Sequence, residues 1–207
     1  EVPQLSPKAQ IRRTSLTIIA KGKNNHSGLD ESITMIERHI SWRCPIFSIH
    51  RSSTKTKGDF HVEISLSKNE QTIELQWQIL SKENDEVVYS GAHLETRISK
   101  EPLPPRVAEL VAESITRKTL LHRRKQIGEI IEVNSLTYWD LILLGDRFVS
   151  MLPTKIALKR DVLKRAITIA PDIAVAHAAL GKLLSWEVIN GVATNTRKNI
   201  NLAIEYA

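Results

Sequence analysis

Hydrophobic residues recur at every second position through much of residues 60–96, and at every third or fourth position after residue 105. In "DFHVEISLS", Phe60, Val62, Ile64 and Leu66 share one face. In "TIELQWQIL", Ile73, Leu75, Trp77 and Ile79 do the same, with Glu74, Gln76 and Gln78 opposite. Such alternation predicts strands of a sheet with one covered side. "EVVYSGAHLETR" predicts a third, less regular strand, and the polar links "SKNEQ" and "SKENDE" fit the hairpin turns of an antiparallel meander. Ahead of these lie "SLTIIA", a β-branched run read as a buried strand, and "PIFSIH", read as another. Between those two, "SGLDESITMIERHI" sets Leu29, Ile33, Ile36 and Ile40 at helical spacing, with Asp30 and Glu31 near the positive end of the helix dipole. This helix is the expected cover for the sheet.

"KEPLPP" is the clearest punctuation, because three prolines in four residues cannot continue a strand and suit only the first turn of a helix. Beyond it a helix is expected, with Val107, Leu110, Val111, Ser114 and Ile115 as its apolar stripe. From Ser135 onward only helical patterns occur. Leu144-Gly145 recurs as Leu180-Gly181 36 residues later, and Ala166-Ile167 as Ala203-Ile204 37 residues later. These positions resemble the tetratricopeptide repeat, a helix–turn–helix unit with a period of about 34 residues. Leu144-Gly145, Leu163, Ala166 and Pro171 fill its roles in one unit; Ala176, Leu180-Gly181, Ile200 and Ala203 fill them in the next. Gly and Ala let helix backbones approach, and the larger residues fill the gaps. His177 stands where an aromatic is preferred and Lys159 where a small residue is. "APDIAV" is then a joint between repeats. Stacked repeats generally need about three units, so further helices are expected beyond Ala207. A start at Glu1 likewise suggests an excised part of a longer chain.

The resulting fold class is α+β: a small α/β domain with a mixed, mostly antiparallel sheet over residues 1–101, a connecting helix over 102–135, and tetratricopeptide-like repeats over 136–207. The whole arrangement resembles the TolB-amino-terminal-like domain coupled to tetratricopeptide repeats, known from bacterial winged-helix transcriptional regulators and class III adenylate cyclases. "SGLDESI" matches that family's "DGLTEDI"-like helix start, "HVEISLSK" its "VLEGSVRR"-like strand, and "TYWDLILLG" its "AWDLYLRG"-like repeat start. Two features differ: only "RSSTKTKGD" stands where the family inserts a helix, and the first strand lacks an "LPF" ending. The resemblance implies a membrane-tethered signalling protein with this part on the periplasmic side. The alternative is the effector region of a soluble cytoplasmic DNA-binding regulator, and a third possibility is an enzyme with an unrecognised site.

Composition narrows the chemistry further. The longest apolar runs fall far short of the roughly 18 residues that span a bilayer. The lone Cys44 can neither close an internal disulfide nor build a Cys-rich metal site, and reads as a buried structural thiol. No Gly-rich phosphate loop, H-E-x-x-H, C-x-x-C or G-x-S-x-G is present, and the seven His are scattered. No catalytic residue, cofactor or metal is therefore expected, and the chain is read as non-enzymatic. The formal charge of +6 lies mostly in the second half, notably "RKTLLHRRK", where Arg117, Lys118, Arg123, Arg124 and Lys125 form a candidate anionic contact or a solvated helix end. That run lacks the interleaved aromatics of a nucleic-acid surface, so direct nucleic-acid binding is not expected. A protein or peptide partner is. Tyr138 and Trp139 are expected to pack the repeats against the preceding helix. Partner contacts are assigned to first-helix residues outside the seam: Asp140, Leu143, Arg147, His177 and Lys182.

Overall fold

The computed structural model describes residues 11–21, 27–54, 58–68, 72–83, 85–96, 104–128, 136–146, 153–193 and 195–206. They form five strands and six helices: β1 (Thr14–Lys21), α1 (Ser27–Arg43), β2 (Phe47–Ser52), β3 (Phe60–Lys68), β4 (Thr72–Ser81), β5 (Val87–Thr96), α2 (Pro105–Gly128), α3 (Tyr138–Asp146), α4 (Pro153–Ile169), α5 (Ala174–Ile189) and α6 (Thr196–Glu205). Two compact units result, one of residues 13–123 and one built on residues 124–207. The helix α2 contributes residues to both.

In the first unit the strands lie in the order β2-β1-β3-β4-β5. The sheet is mixed, as expected, with two parallel and two antiparallel strand pairings. Both pairings of β1 are parallel, while β3–β4 and β4–β5 are antiparallel. The parallel half follows from α1, which carries the chain from β1 over the sheet and returns it beside the same strand. Register aligns Leu16 with Phe60, Ile18 with Val62, Val62 with Ile79 and Ile64 with Trp77, so these share one face. Leu29, Ile33, Ile36 and Ile40 of α1 are buried over it, as their spacing predicts. Arg51 on β2 ties α1 down through Glu37 (3.0 and 2.9 Å) and the Thr34 hydroxyl (3.0 Å).

In α2 the covered stripe is Val107, Ala108, Val111, Ala112, Ile115 and Thr119. Leu110, assigned to that stripe from the sequence, is 48% exposed: small residues at 108 and 112 let the helix sit closer on their side and rotate Leu110 outward. His122 meets Phe60 edge-on at 5.8 Å, and Lys118 lies 4.6 Å over the Tyr89 ring. On the opposite sheet face Thr17, Ile19, His61 and Leu80 are buried too, and Gly58 lies against Thr17, where a Cβ would come within 2.6 Å of the Thr17 hydroxyl.

In the second unit α3 packs on α4, α4 on α5, α5 on α6, and α3 also on α5. Thr137 and Asp140 start α3 reciprocally: the Asp140 carboxylate accepts from the Thr137 hydroxyl (2.9 Å), and the Thr137 hydroxyl accepts from the Asp140 amide (3.2 Å). Asn190-Gly191 stops α5. Gly191 takes φ +66, its amide donates to Val188 O (3.1 Å), and the Val192 amide donates to Glu187 O (2.9 Å), the paired bonds of a Schellman end. Asn195 then accepts from the Lys198 amide at 3.0 Å and opens α6.

Candidate binding groove

The two Leu-Gly pairs sit at comparable places. A Cβ on Gly145 would meet Leu163 of α4 at 2.5 Å, and one on Gly181 would meet the Ala203 carbonyl oxygen of α6 at 3.3 Å. Each glycine thus faces the helix that follows its own. Leu163, Ala166, Ala176 and Leu180 are buried, whereas Ile200, assigned a filling role, is 42% exposed. Tyr138 is fully buried and bonds forward to the start of α5: its hydroxyl donates to Ile173 O (3.3 Å) and accepts from the Ala176 amide (3.1 Å). The residue that opens α5, Ile173, has no side-chain cap of its own, so Tyr138 caps that helix from 38 residues away. Burial raises the Tyr138 pKa above its usual 10.0, opposed by the bond from Ala176.

Between α4 and α6, over α5, runs a groove of about 460 Å³. Leu180 and Leu184 from α5 and Leu202 from α6 supply its apolar lining, and Arg160, Lys164 and Lys198 its charge. Among the described residues no carboxylate lines it. Glu187, only 1% exposed, lies where the walls meet. Its Oε2 accepts from Arg160 Nη2 of α4 (2.5 Å) and from Asn199 Nδ2 of α6 (2.9 Å), so one buried oxygen holds both walls to α5. A charge-assisted bond of this kind is about twice as strong as a neutral one. Glu187 escaped the sequence reading because "LLSWEVIN" looks like an ordinary helix end. Its signal was present: it falls seven residues after Leu180 and three after Leu184, on the buried stripe. Lys159, at 7% exposure, and Asp140, at 3%, are further buried charged residues on these helices.

The residues assigned to partner contact scatter. Asp140 is spent on the α3 start and Leu143 is a packing residue, each 3% exposed, so neither offers a surface to a partner. Arg147 lies outside the described residues. His177 bonds to Pro171 O at 2.8 Å and tilts against Tyr206 at 5.5 Å, and Lys182 is exposed. In the basic run Arg117 and Lys125 are exposed and, seven to eight residues apart, share one side of the helix with half-buried Arg124, while Lys118 lies over Tyr89 and Thr119 and Leu120 are buried on its other side.

The first unit carries an open saucer of about 500 Å³ on the polar sheet face. The Lys21–Glu63 ion pair (3.2 Å), Ser65, Gln76, Gln78 and Ser90 line it. Among the described residues no cluster of His, Cys, Asp or Glu could hold a metal, and no helix is long and apolar enough to cross a membrane. Cys44 is buried, as expected.

No family model matches the sequence, and no curated protein sequence does. Solved structures that match include a DUF330 protein of Xanthomonas campestris, XCC0632 (14% identity, 57% of this chain and 90% of that one, TM-score 0.39). A PelC dodecamer from Paraburkholderia phytofirmans matches at 13% identity over 56% of this chain and 94% of that one, with a TM-score of 0.36. TolB from Acinetobacter baumannii matches at 9% identity over 52% of this chain and 27% of that one, with a TM-score of 0.34. Likenesses of this size establish neither a family nor a function. A TolB structure is thus among the matches, while nothing found supports tetratricopeptide proteins, winged-helix regulators or cyclases.

Proposed function

We propose that this chain is a non-enzymatic protein-interaction module, and that the helical unit holds a partner segment in the groove between α4 and α6. The groove carries the reading: an apolar floor within a cationic rim, its walls tied through Glu187, is built for shape recognition and lacks any group poised for bond-making. The tetratricopeptide-like interpretation of α3–α6 is part of the same proposal, supported by the matched glycine contacts of Gly145 and Gly181. With the resembled architecture, the module belongs to a sensory or regulatory protein and to the periplasmic side of a membrane.

Selection of a random displayed-peptide library on the full chain tests this. Enriched peptides should lose binding to Leu202→Trp, which fills the groove, and keep binding to Gln78→Arg, which alters the sheet saucer. A library that enriches nothing, or peptides sensitive only to Gln78→Arg, would overturn the proposal.

A further inference from the structure

We infer that the groove selects an acidic segment, one with carboxylates on either side of a leucine-sized apolar residue. This rests on the reading of the helical unit as a partner-binding surface and specifies its ligand. Leu180 and Leu184, 1% and 2% exposed, close the floor of the groove, and half-buried Leu202 gives it an accessible apolar wall that a free ion or a nucleotide phosphate would not use. The Lys164 and Lys198 ammoniums rise from opposite walls, both exposed, and neither forms an ion pair among the described residues. Arg160 is different: Glu187 already neutralises it, so it shapes the wall and adds little net attraction. The uncompensated charge is therefore the two lysines, set across the leucines.

An extended or helical segment that buries an apolar side chain between two acids fits both features together. Nucleic acid is the poorer occupant, because the one aromatic lining residue, Tyr206, has its ring tilted against His177 and offers no open stacking platform. The location is also distinct from the first-helix surface that the repeat resemblance suggests: two of the three helices here, α4 and α6, are second helices.

The test uses fluorescence anisotropy on the full chain with three labelled probes of equal length: an alternating Glu-Leu peptide, its Gln-Leu counterpart, and oligothymidylate. The Glu-Leu peptide should bind at least about tenfold tighter than Gln-Leu, and weaken as salt rises. Lys164→Glu and Lys198→Glu should each lower its affinity about three- to tenfold, reversing an attraction of the exposed-pair size. The double variant Arg117→Glu/Lys125→Glu, which makes a larger change in net charge on α2 and touches no groove-lining residue, should leave it within about twofold. Circular dichroism of each variant checks folding, and Lys164→Gln with Lys198→Gln provides milder versions. Equal binding of Gln-Leu, tighter binding of oligothymidylate, or equal losses from the α2 variant would overturn the inference. If library peptides bind the groove yet Glu-Leu does not, the inference fails while the partner-binding reading stands. If no peptide binds the groove at all, both fail.

Discussion

Tyr138→Phe is the substitution that isolates the tie between the two helical hairpins. The ring remains, with its edge-on contact to Trp139 at 5.0 Å, so the only volume lost is one oxygen. What disappears is the acceptor for the Ala176 amide in the first turn of α5, and the donor to Ile173 O. Loss of a helix cap costs about 1 kcal/mol, and a buried amide left unpaired about 1–3 kcal/mol. The sum cannot be taken, since both describe the same N–H, so the expected loss is about 1–3 kcal/mol. With a urea slope of about 2 kcal/mol per molar, the midpoint of the helical unit should fall by roughly 0.5–1.5 M. Hydrogen exchange at Ala176 should speed up by about 5- to 150-fold. Alkaline behaviour gives an independent check. Because burial raises the Tyr138 pKa, the unfolded chain releases this proton near pH 10 while the folded chain retains it. The phenol's contribution is therefore fully present below pH 10 and is lost as pH climbs through the folded value. Tyr138→Phe should flatten that part of the stability profile. An unchanged midpoint together with unchanged Ala176 exchange would refute the capping role.

Other substitutions probe separate contacts. Gly145→Ala should destabilise by about 1–2 kcal/mol, because a Cβ at 2.5 Å from both Cγ and Cδ2 of buried Leu163 outweighs the roughly 1 kcal/mol gained in helix propensity. Gly181→Ala should be near neutral, since its nearest neighbour is at 3.3 Å; equal shifts in Tm for the two would contradict this. In the sheet, Gly91→Ala would drive a Cβ to 2.4 Å from the rigid Trp77 ring and should cost about 1–3 kcal/mol, with an altered tryptophan near-ultraviolet signal. Glu187→Ala should lose about 2–4 kcal/mol by thermal unfolding, leaving Arg160 and Asn199 without their shared acceptor, and Glu187→Gln should lose less.

Burial patterns were legible where a single face decides them. Ile33, Ile36 and Ile40, or Val62, Ile64 and Ile79, must point at the core because the residues between them are polar. Strand order was not legible: nothing in "SLTIIA" says that both its neighbours run parallel to it, since that depends on how α1 and the short link before β3 cross the sheet. The candidate site divided similarly. Leu180 and the Leu-Gly spacing were readable as packing, but the groove depends on Arg160, Glu187 and Asn199, spread over 39 residues, meeting at one oxygen. Lys164 and Lys198 look in sequence like any solvated lysines, and what sets them apart is that they line the groove without an acidic partner among the described residues. The basic run on α2 was conspicuous by composition, but which of its residues face solvent depends on the packed side that Thr119 and Leu120 occupy. Asp140 misled for the opposite reason, because a carboxylate in a first helical turn serves a cap as readily as a partner.

Amide chemical-shift mapping of the full chain, titrated with the tightest peptide from the library selection, is the most direct measurement of the account. Shifts should concentrate at Lys164, Leu180, Leu184, Lys198 and Leu202, with the sheet residues Gln76, Gln78 and Ser90 unmoved. Shifts confined to those sheet residues, or to the first-helix position Lys182, would contradict it.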